Sequence, residues 1–171
     1  MIERTKARLQ EARSLLDQLL AERFVQVQHA KSPASPKFHQ LLNDFVTRAR
    51  TVRWVLQSEE KQKYDAWTSS PGAALTVQEQ ETFDLVATMR NSIEKQGHAN
   101  TVARLERVEI PESDHPVHGT HYFGLPGSGR PTTIIDVYYV EGTDREVLSL
   151  CEQYLAILTT QVQDFEKYAQ G

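Results

Sequence analysis

The chain has 171 residues, of which 39% are hydrophobic and 25% charged, with a formal net charge of −4 and a single cysteine. This composition is typical of one globular domain that buries its own core without disulfides. No apolar run approaches the roughly 18 residues of a membrane span, and the charged N-terminus lacks the apolar segment of a signal peptide. We therefore expect a cytoplasmic protein that does not bind a membrane.

The charges are unevenly distributed along the chain. Residues 1–53 hold ten Lys or Arg against five Asp or Glu, whereas residues 54–171 hold nine against eighteen. Much of the positive charge falls on the second predicted helix, at Lys37, Arg48, Arg50 and Arg53. This pattern is compatible with phosphate binding, and also with a solvated surface that complements an acidic part of the chain or a second subunit.

The first half of the chain is predicted to be helical. Apolar residues at helical spacing predict a first helix over 3–28 and a second that ends near residue 60. Ser35 and Pro36 are typical of the start of a helix, as a capping residue and a first-turn proline. Trp54 lies off the apolar stripe, and we expect it to pack against a short helix at about 61–68. Glu59 and its neighbour Glu60 point to different faces, and we expect both to be solvated.

The second half is predicted to be mixed. Thr76 and Glu79 form a capping box for a helix that ends at Gly97. Three β-like runs follow, at 102–110, 121–125 and 132–140, and predict a small antiparallel insertion. A second capping box, Thr143 with Glu146, is predicted to begin the last helix, which extends to about residue 169.

These elements predict a mainly α fold. Four long helices with one apolar face each are expected to form an up-and-down bundle, with the small antiparallel β insertion placed before the last helix. The predicted arrangement is a single domain over 1–171, in which 3–98 and 143–169 form the bundle and 101–141 form the insertion.

Arg90 and Asn91 are the most informative pair in the chain. At about 100° per residue, Arg90 falls within the helix arc that Val86, Met89 and Ile93 define. A cation on a buried face needs a partner, or else lines a cleft that receives an anion. Two interpretations therefore stay open, an arginine bonded within its own fold and an arginine that binds an anion or RNA phosphate.

The arrangement around Arg90 resembles the HEPN (higher eukaryote and prokaryote nucleotide-binding) superfamily. The shared features are a helical bundle and a functional helix that ends with Arg90-Asn91, three residues, the cation Lys95 and then Gly97. The similarity covers about residues 5–98 and the last helix. It implies RNA or nucleotide binding by a homodimer, and in active members a metal-independent RNase whose motif is an Arg, four to six residues and a His.

The histidine of that motif is missing. Lys95 stands in its place, and His98 lies beyond the family spacing, after seven intervening residues. RNA cleavage needs a base near neutral pH, which an imidazole with a pKa near 6.5 supplies and an exposed lysine near 10.4 does not. We therefore expect a catalytically weakened protein, with Arg90 and His98 as candidate catalytic residues. The candidate phosphate-binding residues are Arg90, Asn91, Lys95, Arg50 and Arg53.

Two alternatives belong to other functional classes. The first is a weak metal-independent endoribonuclease that uses Arg90 with His98. The second is a protein–protein interaction partner, for instance an immunity or toxin–antitoxin protein without nucleic-acid activity, in which Arg90 is only structural.

Three other features carry weaker signals. The glycine-rich run at 124–132 lacks the Lys-Ser/Thr of a phosphate loop and is predicted to be a hairpin connection. His115, His118 and His121 are spaced by three and leave the question of zinc open, but no further ligand pair accompanies them, so we predict no metal or other cofactor. Cys151 lies on an apolar stripe and is predicted to be a small core residue.

Overall fold

The structure is a computed structural model that describes residues 2–29, 35–70, 73–110 and 132–170. These residues form five helices and one two-stranded antiparallel sheet, so the predicted mainly α fold with a small β element is confirmed. Within the described ranges, no helix is both long and apolar enough to cross a membrane. The elements are α1 (Glu3–Gln28), α2 (Pro36–Glu59), α3 (Lys61–Thr68), α4 (Val77–Gln96), β1 (Thr101–Glu109), β2 (Thr132–Val140) and α5 (Val147–Gln170).

The starts of α2 and α4 follow from local sequence signals. Ser35 accepts a hydrogen bond from the backbone N–H of Phe38, and Pro36 opens α2. Both reciprocal bonds of the Thr76–Glu79 capping box are present at the start of α4. This helix ends at Gly97, whose φ of 81° is a left-handed conformation that glycine adopts without strain. These predictions are confirmed.

The predicted capping box of the last helix is wrong. The hydroxyl of Thr143 accepts a hydrogen bond from the backbone N–H of Arg145 at 3.1 Å, inside the turn that precedes the helix. Glu146 caps α5 instead, because its carboxylate accepts a bond from the N–H of Ser149 at 2.7 Å. The helix therefore begins at Val147, after the motif that was expected to cap it.

One main hydrophobic core joins the helices. Fully buried side chains from the long helices fill it, and Cys151 lies among them as a free thiol, as predicted. Burial raises the pKa of this thiol well above its usual range, so it stays protonated. Among the largest buried side chains are Leu19, Phe45, Met89, Leu150 and Phe165.

The end of α2 caps the start of α1. The carboxylate of Glu59 accepts hydrogen bonds from the N–H groups of Arg4 and Thr5, at 2.9 and 2.8 Å, and from the Thr5 hydroxyl at 2.6 Å. Burial by itself raises the pKa of Glu59, but these bonds outweigh it and lower the pKa overall. The prediction that Glu59 is solvated is therefore wrong. Because the last turn of α2 contacts the first turn of α1, these two helices are antiparallel.

The hairpin packs on the helical core through β2. Ile135 and Val137 form a second apolar cluster with Val27 of α1, and Tyr138 stacks on Phe38 of α2. The two strands pair in the register that places Leu105 opposite Asp136. The predicted run at 121–125, the glycine-rich segment and the residues His115, His118 and His121 lie outside the described residues.

Candidate nucleic-acid interface

All six candidate residues lie on or just beyond α2 and α4, which pack side by side in opposite directions. Asn43, in the first half of α2, donates to the carbonyl of Gly97 at 3.1 Å and accepts from the N–H of Ala99 at 3.2 Å. Further along, Arg53 of α2 contacts Phe83 of α4. The candidates therefore divide between two ends of one helix pair.

At one end, Arg90 is paired within its own helix. Its guanidinium forms an ion pair with Glu94, one turn further along α4, and its side chain is 37% exposed. The apolar face of the helix is built from Val86 and Met89, with Ile93 packed against the core, and Arg90 lies at the border of this face. Of the two interpretations of Arg90, the ion pair corresponds to the first, a partner within its own fold.

The other motif residues surround the C-terminus of α4. Asn91, Lys95 and His98 are all exposed. The Nδ1 atom of His98 is 3.2 Å from the carbonyl oxygen of Ala99. The backbone carbonyl of His98 accepts a hydrogen bond from the Ser92 hydroxyl. His39 of α2 is close enough for His98 to lower its pKa, although burial is the larger cause of that lowering. We call this region, Arg90 to His98, the motif end.

At the other end, α2, α3, α4 and α5 enclose an open groove of about 390 Å³. Arg50, Arg53, Trp54 and Gln57 of α2 form one wall, and Gln80, Phe83, Asp84 and Ala87 of α4 form the other. Tyr64 and Tyr154 complete the lining. We call this site the arginine groove. It continues past Arg53, Gln80 and Asp84 into a second depression, which Thr68, Leu75 and Thr76 also line.

The two arginines of the groove have no carboxylate partner among the described residues. Arg50 is exposed, and Arg53 is half-buried with its guanidinium carbon 5.0 Å from the centre of the Phe83 ring. The one carboxylate of the lining, Asp84, accepts a hydrogen bond from Gln80 at 2.8 Å and forms no ion pair with Arg53. The neighbouring cation Arg48, by contrast, pairs with Glu11 of α1 at 3.3 Å. The groove therefore holds two positive charges that can meet an incoming anion.

The groove also presents aromatic surface. Trp54 is 67% exposed, so the prediction that it packs against the Tyr64–Trp67 segment is wrong. Those two residues contact Phe165 in the core instead. Trp54 directly follows Arg53 on α2 and lines the groove with its indole ring available for contact.

Tyr154 forms the floor of the groove. Its ring packs edge-on against Phe83, with 4.8 Å between the ring centres, and the residue is only 2% exposed. Its hydroxyl makes no hydrogen bond to another described residue. Burial raises the pKa of Tyr154 to about 12, against the smaller opposing effects of Arg53 and Arg50. The hydroxyl is therefore neutral at physiological pH and can still donate a hydrogen bond to a ligand.

Sequence reasoning found the two cations of the groove and missed its aromatic residues. The missed signal was the position of Trp54, off the apolar stripe and directly after Arg53, because an aromatic residue outside the core stripe tends to be exposed. Phe83 and Tyr154 carry no such signal, since both belong to apolar helix faces. In the described ranges, no three His, Cys, Asp or Glu side chains are grouped so as to hold a metal ion.

The chain was also compared with known proteins. No protein-family model, no curated protein and no solved structure matches it significantly. Functional inference therefore depends on the geometry of these two regions.

Proposed function

We propose that this protein binds single-stranded RNA or a nucleotide in the arginine groove, as an HEPN-like protein with weakened or absent catalysis. The observation that carries the proposal is the placement of Arg50 and Arg53, two cations without a carboxylate partner in the described part of the chain, beside the exposed indole of Trp54. Proteins that bind single strands combine these two elements, because cations hold the phosphates while aromatic rings stack on the bases.

In this proposal each group that lines the groove has a role. Arg50 and Arg53 bind phosphate oxygens, and Arg53 is oriented for this by its contact with Phe83. Trp54 stacks on a base. Gln57 and the Tyr154 hydroxyl supply hydrogen bonds to polar edges of the ligand. None of these contacts requires a base pair, so we expect single strands to bind more tightly than duplexes.

The motif end has a secondary role in this proposal. Asn91 and Lys95 are exposed at the end of α4, where Lys95 adds one positive charge and Asn91 a neutral amide, whereas the charge of Arg90 is largely offset by Glu94. Catalysis by Arg90 with His98, and binding of a protein partner in place of RNA, remain predictions. We also interpret the four long helices as the expected up-and-down bundle. The contacts of Glu59 and Asn43 make α1, α2 and α4 successively antiparallel, and the ion pair of Lys6 with Glu166 makes α5 antiparallel to α1.

The test is binding of a labelled single-stranded RNA in EDTA, followed by fluorescence anisotropy over a salt series. The variant R50Q/R53Q removes both groove cations. The matched control R13Q/R48Q removes two cations from α1 and from the side of α2 that faces α1. R90Q probes the motif end, and electrophoresis of the same mixtures detects cleavage.

We expect R50Q/R53Q to bind RNA about tenfold more weakly or worse. The slope of the logarithm of affinity against the logarithm of salt concentration should become shallower by about 1.4, at roughly 0.7 for each phosphate contact in a single strand. The control should lose no more than about twofold, because screening weakens distant surface charges. Equal losses in the two double variants would contradict the proposal. So would loss of binding in R90Q with binding retained in R50Q/R53Q, which would assign the site to the motif end.

A further inference from the structure

A second depression continues the arginine groove along α4, and the proposed function assigns no part of the ligand to it. Arg53, Gln80 and Asp84 line both depressions, so the two form one continuous surface. The second has a volume of about 650 Å³, within the roughly 300–1,000 Å³ that is usual for small-molecule sites. Glu81 lines the second depression and is absent from the arginine groove. We call this second depression the acidic pocket.

Two carboxylates of α4 set the charge of the acidic pocket. Glu81 and Asp84 are both exposed, and because they are three residues apart they are neighbours on one helix face. Within the described part of the chain, the carboxylate of Glu81 forms no hydrogen bond or ion pair, and that of Asp84 accepts a single bond, from Gln80 at 2.8 Å. Both carboxylates therefore keep lone pairs that can accept hydrogen bonds from a ligand.

The neutral donors that line the acidic pocket already bond within the fold. The Thr68 hydroxyl donates to backbone carbonyls of α3, and the Thr76 hydroxyl donates within the capping box of α4. The amide nitrogen of Gln80 donates to Asp84. A ligand in this pocket therefore meets mainly negative acceptors, with the positive charge of Arg53 at the border.

We propose that the acidic pocket binds a guanine base of the RNA, next to the phosphate that Arg53 holds. Guanine binding here rests on the proposed function, because a phosphate bound by Arg50 and Arg53 is what places the neighbouring base at the pocket. The two carboxylates repel phosphates, so the backbone stays on the arginine side and the base enters. The pocket adds base selectivity to a groove whose other contacts, phosphate binding and stacking on Trp54, accept any sequence.

The choice of guanine follows from the donors on its Watson–Crick edge, the edge on which unpaired bases are read. Guanine places N1–H and the N2 amino group side by side, and a carboxylate accepts both in a bidentate pair. Adenine and cytosine place a ring acceptor beside their amino group, and uracil places its N–H between two carbonyls, so each of these bases sets an acceptor against the carboxylate. Glu81, with both oxygens open, forms the bidentate pair, and Asp84 supplies a further acceptor.

The test compares short oligouridines that carry one central guanine, one central inosine or no substitution. Inosine keeps N1–H and lacks the N2 amino group. E81Q/D84N preserves the size of both side chains and replaces each carboxylate with an amide, which has one acceptor oxygen. D17N/E152Q is the matched control, because it makes the same two chemical changes at exposed positions of α1 and α5. Both double variants lose two negative charges, so a general gain in RNA affinity cancels in the ratio of two dissociation constants.

The measurement is fluorescence anisotropy of full-length chains in EDTA, with circular dichroism to check folding. We expect the native chain and D17N/E152Q to bind the guanine RNA about tenfold more tightly than plain oligouridine, with inosine between them, and E81Q/D84N to bind all three alike. Equal native affinity for guanine and uridine would overturn guanine binding and leave the proposed function standing. Native binding of none of the RNAs would overturn both. A guanine preference that persists in E81Q/D84N, or inosine bound as tightly as guanine, would overturn the assignment to these carboxylates.

Discussion

The two ends of the α2–α4 helix pair carry the same type of charge in different settings. At the motif end, Arg90 is paired with Glu94 on its own helix. In the arginine groove, Arg50 and Arg53 have no carboxylate partner among the described residues, and an exposed tryptophan lies beside them. A sequence motif identifies residue types at a spacing, but whether a cation is available to a ligand depends on which neighbours the fold provides.

The two tryptophans test the groove most strongly. Trp54 is exposed in the groove and Trp67 is buried in the core. We expect Trp54→Ala to cost about 1–3 kcal/mol of RNA binding, since this is the usual contribution of base stacking on an aromatic side chain. Its free energy of unfolding should change by no more than about 0.5 kcal/mol, as for most surface substitutions. Anisotropy and urea denaturation measure the two effects separately.

Trp67→Ala is the matched control for this substitution. It removes the same side chain from a packed site and should cost about 3–5 kcal/mol of stability, while the folded fraction retains native RNA affinity. If Trp54→Ala binds RNA with native affinity, bases do not stack in the groove. The motif end would then be the next candidate for the binding site.

Ionisation of Tyr154, at the floor of the groove, should lower the free energy of unfolding at high pH. The pKa of Tyr154 is about 12 in the folded chain, against about 10 when unfolded. Because the folded pKa is the higher one, its contribution to stability is complete below pH 10 and is lost as the pH rises from 10 to 12. By linkage the loss is about 2–3 kcal/mol. Urea denaturation at pH 9 and at pH 12 should show this decline in the native chain and a correspondingly smaller one in Tyr154→Phe.

The pKa of Tyr154 also depends on the two arginines of the groove. Arg53 and Arg50 both lower the pKa of Tyr154. We therefore expect Arg53→Gln to raise it further, whereas Arg90→Gln leaves it unchanged. Because the chain has six tyrosines, the signal of Tyr154 is taken as the difference between the ultraviolet titrations of each chain and of the same chain with Tyr154→Phe. Equal titration curves for the native chain and Arg53→Gln would mean that the charge of Arg53 does not reach the groove floor.

The sequence was sufficient where structure depends on neighbours along the chain. The bounds of the first four helices and the caps at Ser35, Thr76 and Gly97 agree with prediction, because periodicity and capping act within one or two turns. The lack of a carboxylate partner for Arg50 and Arg53 within the described ranges was not predictable in this way. It depends on the tertiary placement of Glu11 across from Arg48, and on Asp84 being bonded within α4 to Gln80, one turn away.

The wrong predictions for Glu59 and Trp54 have a tertiary origin, whereas the one for Thr143 and Glu146 reflects competing local hydrogen bonds. Thr143 and Glu146 fit a capping box in sequence, but Thr143 is used in the turn before the helix and Glu146 alone caps it. Glu59 was expected to be solvated because the residues around it along the chain offer it no partner. Its actual partners are the N–H groups at the start of α1, 54 and 55 positions away. Trp54 was expected to pack against the Tyr64–Trp67 segment, but Trp67 packs against Phe165 instead.

The smallest expected effect is that of replacing Glu94. It tests whether the ion pair is what makes Arg90 different from Arg50 and Arg53. If the ion pair is what withholds Arg90 from a ligand, Glu94→Gln should release it. An i,i+4 pair on a helix surface is worth about 0.3–0.5 kcal/mol, so RNA affinity should rise by about twofold, and more at low salt. Glu152→Gln is the control, because it makes the same change of net charge at an exposed position of α5.

The double variant R90Q/E94Q separates the local effect from the general one. If the gain in Glu94→Gln comes from a released arginine, the double variant should return to native affinity, since its net charge is that of the native chain and neither partner remains. A gain that persists in the double variant, or that appears equally in Glu152→Gln, would mean that Arg90 contributes nothing once it is unpaired. The motif end would then be a structural helix terminus, and binding would be a property of the arginine groove alone.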